Sequence, residues 1–535
     1  MNQMEGKRKR YSIISNMIFC INLLVLSGLI GEHGVGYLAG ALECFFLLLL
    51  LTAFSMPEIS ARLIRTRMQK GQIRNAQRVL KTSLLFSCFY SITGSFFLFF
   101  CADFLMGRLF QVTYAAFTLR LLIPAYVLCV FSQALRGYFQ GMGSAVPTGV
   151  SRILERIIWF VTGILFCILF RNYGEKVAAL LVNQEFGASY AGAGVAVGLD
   201  LAMLFALLFL VFVYHSNKRT FRGGNRDTVR MSERLSEIAY MMIASILPYM
   251  AYGFLMRIPV IGVMALGQHR EGILTQTGIG DCGAFYGKYL AVVLFLVLLL
   301  KLPLVPIEGM IQSAYRKEEY KYGRDRISFG THFILMNGIF LAVMLAVLGD
   351  TGMRGFFSGD SGLAGKLFLS GSSLVVFLSL GLFFSSLLIS QGRMNTVLLS
   401  LFAGVMIFFI YGGIRVRLAG VGLQSIVTGL CVSWLVICVA NGFFVMRFMK
   451  WSPEWVYILV LPLGTAALSG IVMMLMNKAL SGLIGDAASC VLCLLVGMLS
   501  NLFLLLLLKG IRREELMAFP GGRGLIKFAE IIHLL

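Results

Sequence analysis

Negative charge is scarce in this chain, histidine is scarcer still, and the motifs that usually mark catalysis are missing. The 535 residues hold 25 Asp and Glu and five His. No His, Cys and carboxylate spacing suits a metal. No G-x-x-x-x-G-K-[ST] loop occurs, so the chain carries no ATPase of its own. No His or carboxylate constellation suits a glycosyl polymerase or ligase, and the chain is not expected to be an enzyme. Nearly all of the eleven cysteines fall inside apolar runs, and only Cys282 lies in a segment expected outside, so no disulfide framework is implied. Cys490-x-x-Cys493 has the spacing of a redox or metal pair, yet it sits at lipid depth without His or acidic neighbours and reads as packing.

Charge of either sign accounts for only 13% of the residues, against 58% hydrophobic, which excludes an ordinary soluble domain. What fills the chain instead is apolar runs of membrane-spanning length. Fourteen are read, at 11–31, 37–57, 81–101, 117–139, 150–171, 190–214, 238–267, 283–311, 328–348, 367–390, 394–414, 420–446, 455–477 and 485–508. A bilayer core about 30 Å thick takes about 20 residues at 1.5 Å rise each. Lipid offers no partner to backbone N–H and C=O groups, so each run is expected to be a helix.

The net charge of +21 is a topology signal here rather than a nucleic-acid signal. Most of the 46 Lys and Arg fall in alternate loops, among them Lys7–Arg10, Arg62–Lys81, Lys218–Arg234, Arg316–Arg326 and the tail from Lys509 to Lys527. The positive-inside rule makes those loops cytoplasmic and puts both termini inside. Contact with anionic membrane lipids is the expected further role of these cations, and no nucleic-acid partner is expected. The first run lacks a small-x-small cleavage site and is read as retained.

The runs repeat. Pro57 and Pro306 close the second and eighth runs, each before a basic loop, and Gln140-Gly141 and Gln391-Gly392 close the fourth and tenth. Each pair is roughly 250 residues apart. The expected organisation is an all-α polytopic membrane protein with two six-helix lobes as parallel repeats. The N-lobe spans 1–214, a cytoplasmic linker 215–237, the C-lobe 238–446, and two further helices with a tail 447–535. Gly137-x-x-x-Gly141 and Gly194-x-x-x-Gly198 read as close-packing stripes. Pro248, Pro259, Pro303 and Pro306 are expected to break the seventh and eighth runs and mark moving parts.

A charge at bilayer depth is costly and so defaults to a functional candidate. Arg257 and Lys301 are the two central cations. Either they face one cavity and take an anionic headgroup, which guanidinium fits bidentately, or Arg257 pairs structurally with Glu43 in the outer third of the second run. Arg62 and Arg65 are candidates for headgroup capture at the cytoplasmic mouth. Asp200 and Glu308 are candidates for Na+ or H+ coupling, and no other cofactor is expected. Lys288 is placed to snorkel outward. Arg136, Arg152, Glu155 and Arg156 read as a charge network holding a helical hairpin.

The stretch Leu135-Arg-Gly-Tyr-Phe-Gln-Gly-Met-Gly-Ser-Ala-Val-Pro-Thr-Gly-Val-Ser-Arg-Ile-Leu-Glu-Arg156 resembles the helix 4–5 signature of oligosaccharidyl-lipid flippases in the multidrug/oligosaccharidyl-lipid/polysaccharide (MOP) exporter superfamily. Lys70-Gly-Gln-Ile-Arg-Asn-Ala-Gln-Arg78 and Phe285-Tyr-Gly287 are similar to its Gram-positive branch of lipid II flippases and stage V sporulation protein B-like proteins. The cation that lipid II flippases commonly carry in helix one is absent, as is the helix-one carboxylate of the drug-exporting branch. The resemblance implies a MATE-like two-lobe transporter of the bacterial cytoplasmic membrane. It would move a polyprenyl-diphosphate-linked saccharide by alternating access, beside envelope-synthesis glycosyltransferases. A cation-coupled drug exporter and a non-transporting scaffold for envelope or spore assembly are the alternative classes.

Overall fold

The computed structural model describes residues 2–222, 233–269, 276–357, 362–417, 422–508 and 510, and among them every regular element is a helix. In chain order these are α1 (Asn2–Thr52), α2 (Met56–Gln69), α3 (Ile73–Phe104), α4 (Ala115–Leu121), α5 (Ile123–Gly141), α6 (Val146–Leu181), α7 (Glu185–Arg222), α8 (Leu235–His269) and α9 (Gln276–Gly283). A wider π-helical turn, Ala284–Leu290, then leads into α10 (Ala291–Arg316). There follow α11 (Tyr320–Phe356), α12 (Leu363–Gly371), α13 (Leu374–Ser390), α14 (Met394–Arg417), α15 (Leu423–Met449), α16 (Leu461–Leu480) and α17 (Asp486–Leu507).

Twelve segments of the described residues are long and apolar enough to cross a membrane, and the pair α12–α13, bent by 52° at its break, makes a thirteenth. The first of the twelve holds both of the first two runs. There α1 is interrupted only at Gly31, whose φ of 71° is left-handed backbone that glycine adopts without strain. Either side of Gly31 is long enough to cross, so the fourteen runs read from the sequence are present. The protein is a multi-pass membrane protein. The prolines differ from expectation: Pro248 and Pro259 lie inside a continuous α8, and Pro303 and Pro306 inside a continuous α10. Each removes one backbone hydrogen bond without ending its helix.

By packing, the chain divides into two units, Met1–Ala291 and Val292–Leu535. The linker expected at 215–237 lies partly outside the described residues, and the packing division falls later, within the eighth run. The reason is that α1 packs along α9 and the π-helical turn, which ties the start of that run to the first unit.

In the first unit α6 and α7 lie along each other, while α1 contacts α6, α7, α8 and α9. The glycine stripes are close-packing surfaces: Gly137 faces Ser60, and Gly198 faces Gly163. A buried cluster joins α2, α3, α5, α7 and α8 through Met56, Val79, Phe139, Leu210 and Ile246. The end of α2 and the start of α3 grip the entry to α8. Arg67 donates to the Glu233 carboxylate, Arg78 to its carbonyl, and Glu233 N–H donates to Asn75 Oδ1 at 3.1 Å. In the second unit α11 packs on α12, α13, α16 and α17, and α15 on α13 and α14. Ser400 donates to Asn441 Oδ1 at 2.6 Å and Asn441 to Ser385 Oγ at 2.9 Å, which satisfies a buried polar column. All eleven cysteines are free thiols, with Cys493 buried.

Candidate functional site

Beyond the Gly31 break, α1 carries two acids, Glu32 and Glu43. Eleven residues at 100° each bring them to nearly the same face, about 16 Å apart along the axis. Each engages one cation of the facing elements. Lys288, in the π-helical turn, donates to Glu32 Oε1 at 2.9 Å, with side-chain exposures of only 3% and 12%. Arg257, between the two prolines of α8, donates from Nη1 to Glu43 Oε1. Lys288 therefore does not snorkel to the interface as expected; the close approach of α1 and α9 buries it against an acid.

That approach depends on glycine. A Cβ on Gly283 would lie 1.7 Å from the Glu32 carbonyl oxygen, and one on Gly36 would lie 2.1 Å from that of Ile279. Backbone meets backbone here, and no side chain fits between.

The deeper pair is the better candidate for chemistry. Glu43 is fully buried, whereas the Arg257 side chain keeps 32% of its exposure. Tyr286, also in the π-helical turn, lies close to both Glu43 and Arg257. The Arg257 guanidinium carbon stands 4.9 Å over the Phe46 ring, a cation–π contact. Glu43 Oε2 is buried with no hydrogen-bond partner among the described residues. One edge of Arg257 is thus fixed by an acid and a ring. Of the two readings open from sequence, the Arg257–Glu43 pair is present. The exposed remainder of the guanidinium leaves donors for an anion, since Arg offers five N–H groups.

Phe46 meets Phe19 edge-on at 5.6 Å, Phe19 stacks on Trp159 at 5.3 Å, and the Arg156 guanidinium lies 4.8 Å over Phe19. This aromatic column leads to the network read from the helix 4–5 stretch. Arg136 donates to Glu155 Oε2 at 2.8 Å and to Ser151 Oγ at 3.1 Å, and Arg156 lies 3.4 Å from Glu155 Oε1. Arg152 reaches instead to Ser12 Oγ on α1 at 3.0 Å.

The remaining candidates are dispersed. Arg62 donates to the Tyr249 hydroxyl and Arg65 to the Gln140 carbonyl, each at 3.4 Å. Asp200 Oδ1 accepts the Ala125 N–H at 2.7 Å. It thereby caps the first turn of α5 across the unit, a role that helix ends need filled. In the second unit Lys301 and Glu308 line one small cavity with Ser379 and Phe383, and Ser386 donates to Glu308 at 2.9 Å. Sequence reasoning missed Tyr286 and Glu32. Tyr286 lies inside the quoted Phe-Tyr-Gly stretch, and Glu32 directly follows a predicted helix end.

Comparison with known proteins bears on this arrangement. The family model described as "Polysaccharide biosynthesis protein" matches residues 11–312. Two proteins of Bacillus subtilis (strain 168) are similar in sequence. Stage V sporulation protein B is 24% identical over 360 residues, 66% of this chain and 65% of that protein. Sporulation protein YkvU is 23% identical over 285 residues, 52% of this chain and 60% of that protein. The chain thus spans somewhat under two thirds of the length of either relative. Among solved structures, the inward-facing conformation of a multidrug resistance MATE family transporter of the MOP superfamily superposes with a TM-score of 0.63 at 15% identity, over 83% of this chain and 94% of that one. The outward-facing conformation of such a transporter gives 0.58 at 14%, over 84% and 95%. The fold is that of the MATE transporters, and the family match over more than half of the residues makes this chain a member of the polysaccharide biosynthesis protein family.

Proposed function

We propose that the protein is a flippase that carries a polyprenyl-diphosphate-linked saccharide across the bacterial cytoplasmic membrane by alternating access, with both termini in the cytoplasm. Arg257 takes a phosphate of the diphosphate. The observation that supports this is its guanidinium at bilayer depth, anchored along one edge by Glu43 and the Phe46 ring and exposed over about a third of the side chain. An anchored fork has lost its rotamer entropy beforehand, so an arriving phosphate gains two charge-assisted hydrogen bonds at less ordering cost. Lys301, in the second unit, is assigned to contact with an anionic headgroup, and Arg62 and Arg65 to headgroup capture at the cytoplasmic mouth. Ion coupling, by Na+ or H+, is assigned to Glu308, whose cavity holds room for about one water. Asp200 is a weaker candidate, because Ala125 already occupies one of its oxygens.

The test is a flipping assay in reconstituted vesicles, with a fluorescent polyprenyl-diphosphate saccharide and quenching of the outer leaflet. The wild type should equilibrate the probe between leaflets. Arg257→Ala/Glu43→Ala removes the cation without stranding a buried carboxylate, and should equilibrate it at the rate of empty vesicles. Ethidium transport with no effect on the probe would move the assignment to drug export.

A further inference from the structure

The first unit gathers five guanidinium groups where α1 begins and where α2, α5 and α6 meet: Arg8, Arg65, Arg136, Arg152 and Arg156. Among the described residues, two carboxylates pair with them. Glu155 accepts from Arg136 and lies 3.4 Å from Arg156, and Glu58, half exposed, lies 3.6 Å from Arg8. Arg8 and Arg65 both turn to Gln140, Arg8 to its side-chain oxygen at 3.2 Å and Arg65 to its carbonyl at 3.4 Å. Arg152 stands within electrostatic range of Arg136 and Arg8, which repel it, and of Glu155, which attracts it. Its hydrogen bond goes to a neutral hydroxyl, Ser12. One turn deeper, Arg156 Nε and Nη1 are buried with no hydrogen-bond partner among the described residues.

Crowded like charges with buried unsatisfied donors are expensive. An unmade hydrogen bond to a buried charged group costs more than one to a neutral group, and guanidinium groups repel one another in a medium less polar than water. The missing component is an anion with several acceptor oxygens. We propose that this junction is a phosphate site, distinct from Arg257, with Arg8 and Arg152 as its entrance and Arg156 as its floor. Arg136 is not part of the seat, because Glu155 and Ser151 already satisfy it. The basic loops mark this end of the unit as cytoplasmic, so the phosphate is either that of an inner-leaflet lipid headgroup or a free phosphate from the cytoplasm. The inference does not rest on the Arg257 assignment.

The purified full chain tests it in two arms. In one, native mass spectrometry in mild detergent counts phosphatidylglycerol molecules retained from vesicles of phosphatidylglycerol and phosphatidylcholine. In the other, calorimetry titrates inorganic pyrophosphate into protein stripped of lipid. Arg8→Gln and Arg152→Gln are compared with the wild type and with Arg257→Ala/Glu43→Ala, and each is first checked for an unchanged melting temperature. Arg8 lies at the start of α1 with its side chain 22% exposed, so its replacement reports on the site even if Arg152→Gln does not fold. Retention of phosphatidylglycerol that falls about tenfold or more in both entrance variants and persists in Arg257→Ala/Glu43→Ala identifies a lipid headgroup site. The same pattern with pyrophosphate alone identifies a free-phosphate site. Binding that is equal in wild type and entrance variants, or absent for both ligands, overturns the proposal.

Discussion

Lys288 and Glu32 are bonded at 2.9 Å in a place where neither side chain is more than 12% exposed. The pair joins the outer half of α1 to the π-helical turn before α10. Removing either partner alone strands a buried charge, which costs about 3–5 kcal/mol. Lys288→Ala and Glu32→Ala should each lower the melting temperature markedly. The exchanged variant Lys288→Glu/Glu32→Lys should recover much of the loss. A thermal unfolding series by intrinsic fluorescence decides the matter, and three additive losses would show that the pair is not coupled.

Gly283 and Gly278 lie five residues apart in α9, yet their surroundings differ. A Cβ on Gly283 meets the Glu32 carbonyl oxygen at 1.7 Å, while one on Gly278 meets nothing within 4 Å among the described residues. Gly283→Ala should force α1 and α9 apart and sharply reduce the yield of folded protein. Gly278→Ala should be tolerated, or slightly stabilising through helix propensity. Size-exclusion profiles of the two variants in detergent make the comparison, and identical profiles would contradict the close approach.

Arg136 and Glu155 form another buried pair, with exposures of 2% and 4%. Arg136→Ala should cost about 3–5 kcal/mol, whereas Arg171→Ala, which breaks an exposed pair with Glu175, should cost less than about 1 kcal/mol. Chemical denaturation in mixed micelles measures both. Equal losses would mean that the 135–156 stretch holds no structural pair.

Asp200 separates a capping role from an ion-binding one. Asn keeps the oxygen that accepts the Ala125 N–H, whereas Ala removes it and should cost about 1–2 kcal/mol, as a lost cap does. Asp200→Asn should therefore melt near the wild type and transport normally, and Asp200→Ala should melt lower. Transport that loses its Na+ or proton dependence in Asp200→Asn would return Asp200 to the coupling role.

Much of this was legible in the residues, for physical reasons. The apolar runs could only be helices, because lipid satisfies no backbone group, and all fourteen are present. The Arg136–Glu155 network was legible because its members flank one short turn. Arg257 was limited to two fates, and the structure holds the Glu43 pair. What the sequence did not disclose depends on long-range packing. Lys288 was placed outward because its acid lies 256 residues away, across a contact that only glycines permit. The Gly31 break was legible as a gap between runs, but not as a single-residue break in an otherwise continuous helix. Tyr286 approaches Glu43 and Arg257 from a π-helical turn, which a search for 3.6-residue periodicity passes over. The prolines of α8 and α10 read as breaks because proline lacks a donor, yet losing one bond did not end either helix.

The central claim is that Arg257 holds a lipid diphosphate. Native mass spectrometry of the gently purified protein, wild type beside Arg257→Ala/Glu43→Ala, tests it most directly. The account predicts a co-purifying polyprenyl-diphosphate saccharide on the wild type that is lost from the double variant. The same adduct at the same occupancy on both proteins, or only bulk phospholipid on the wild type, would contradict it.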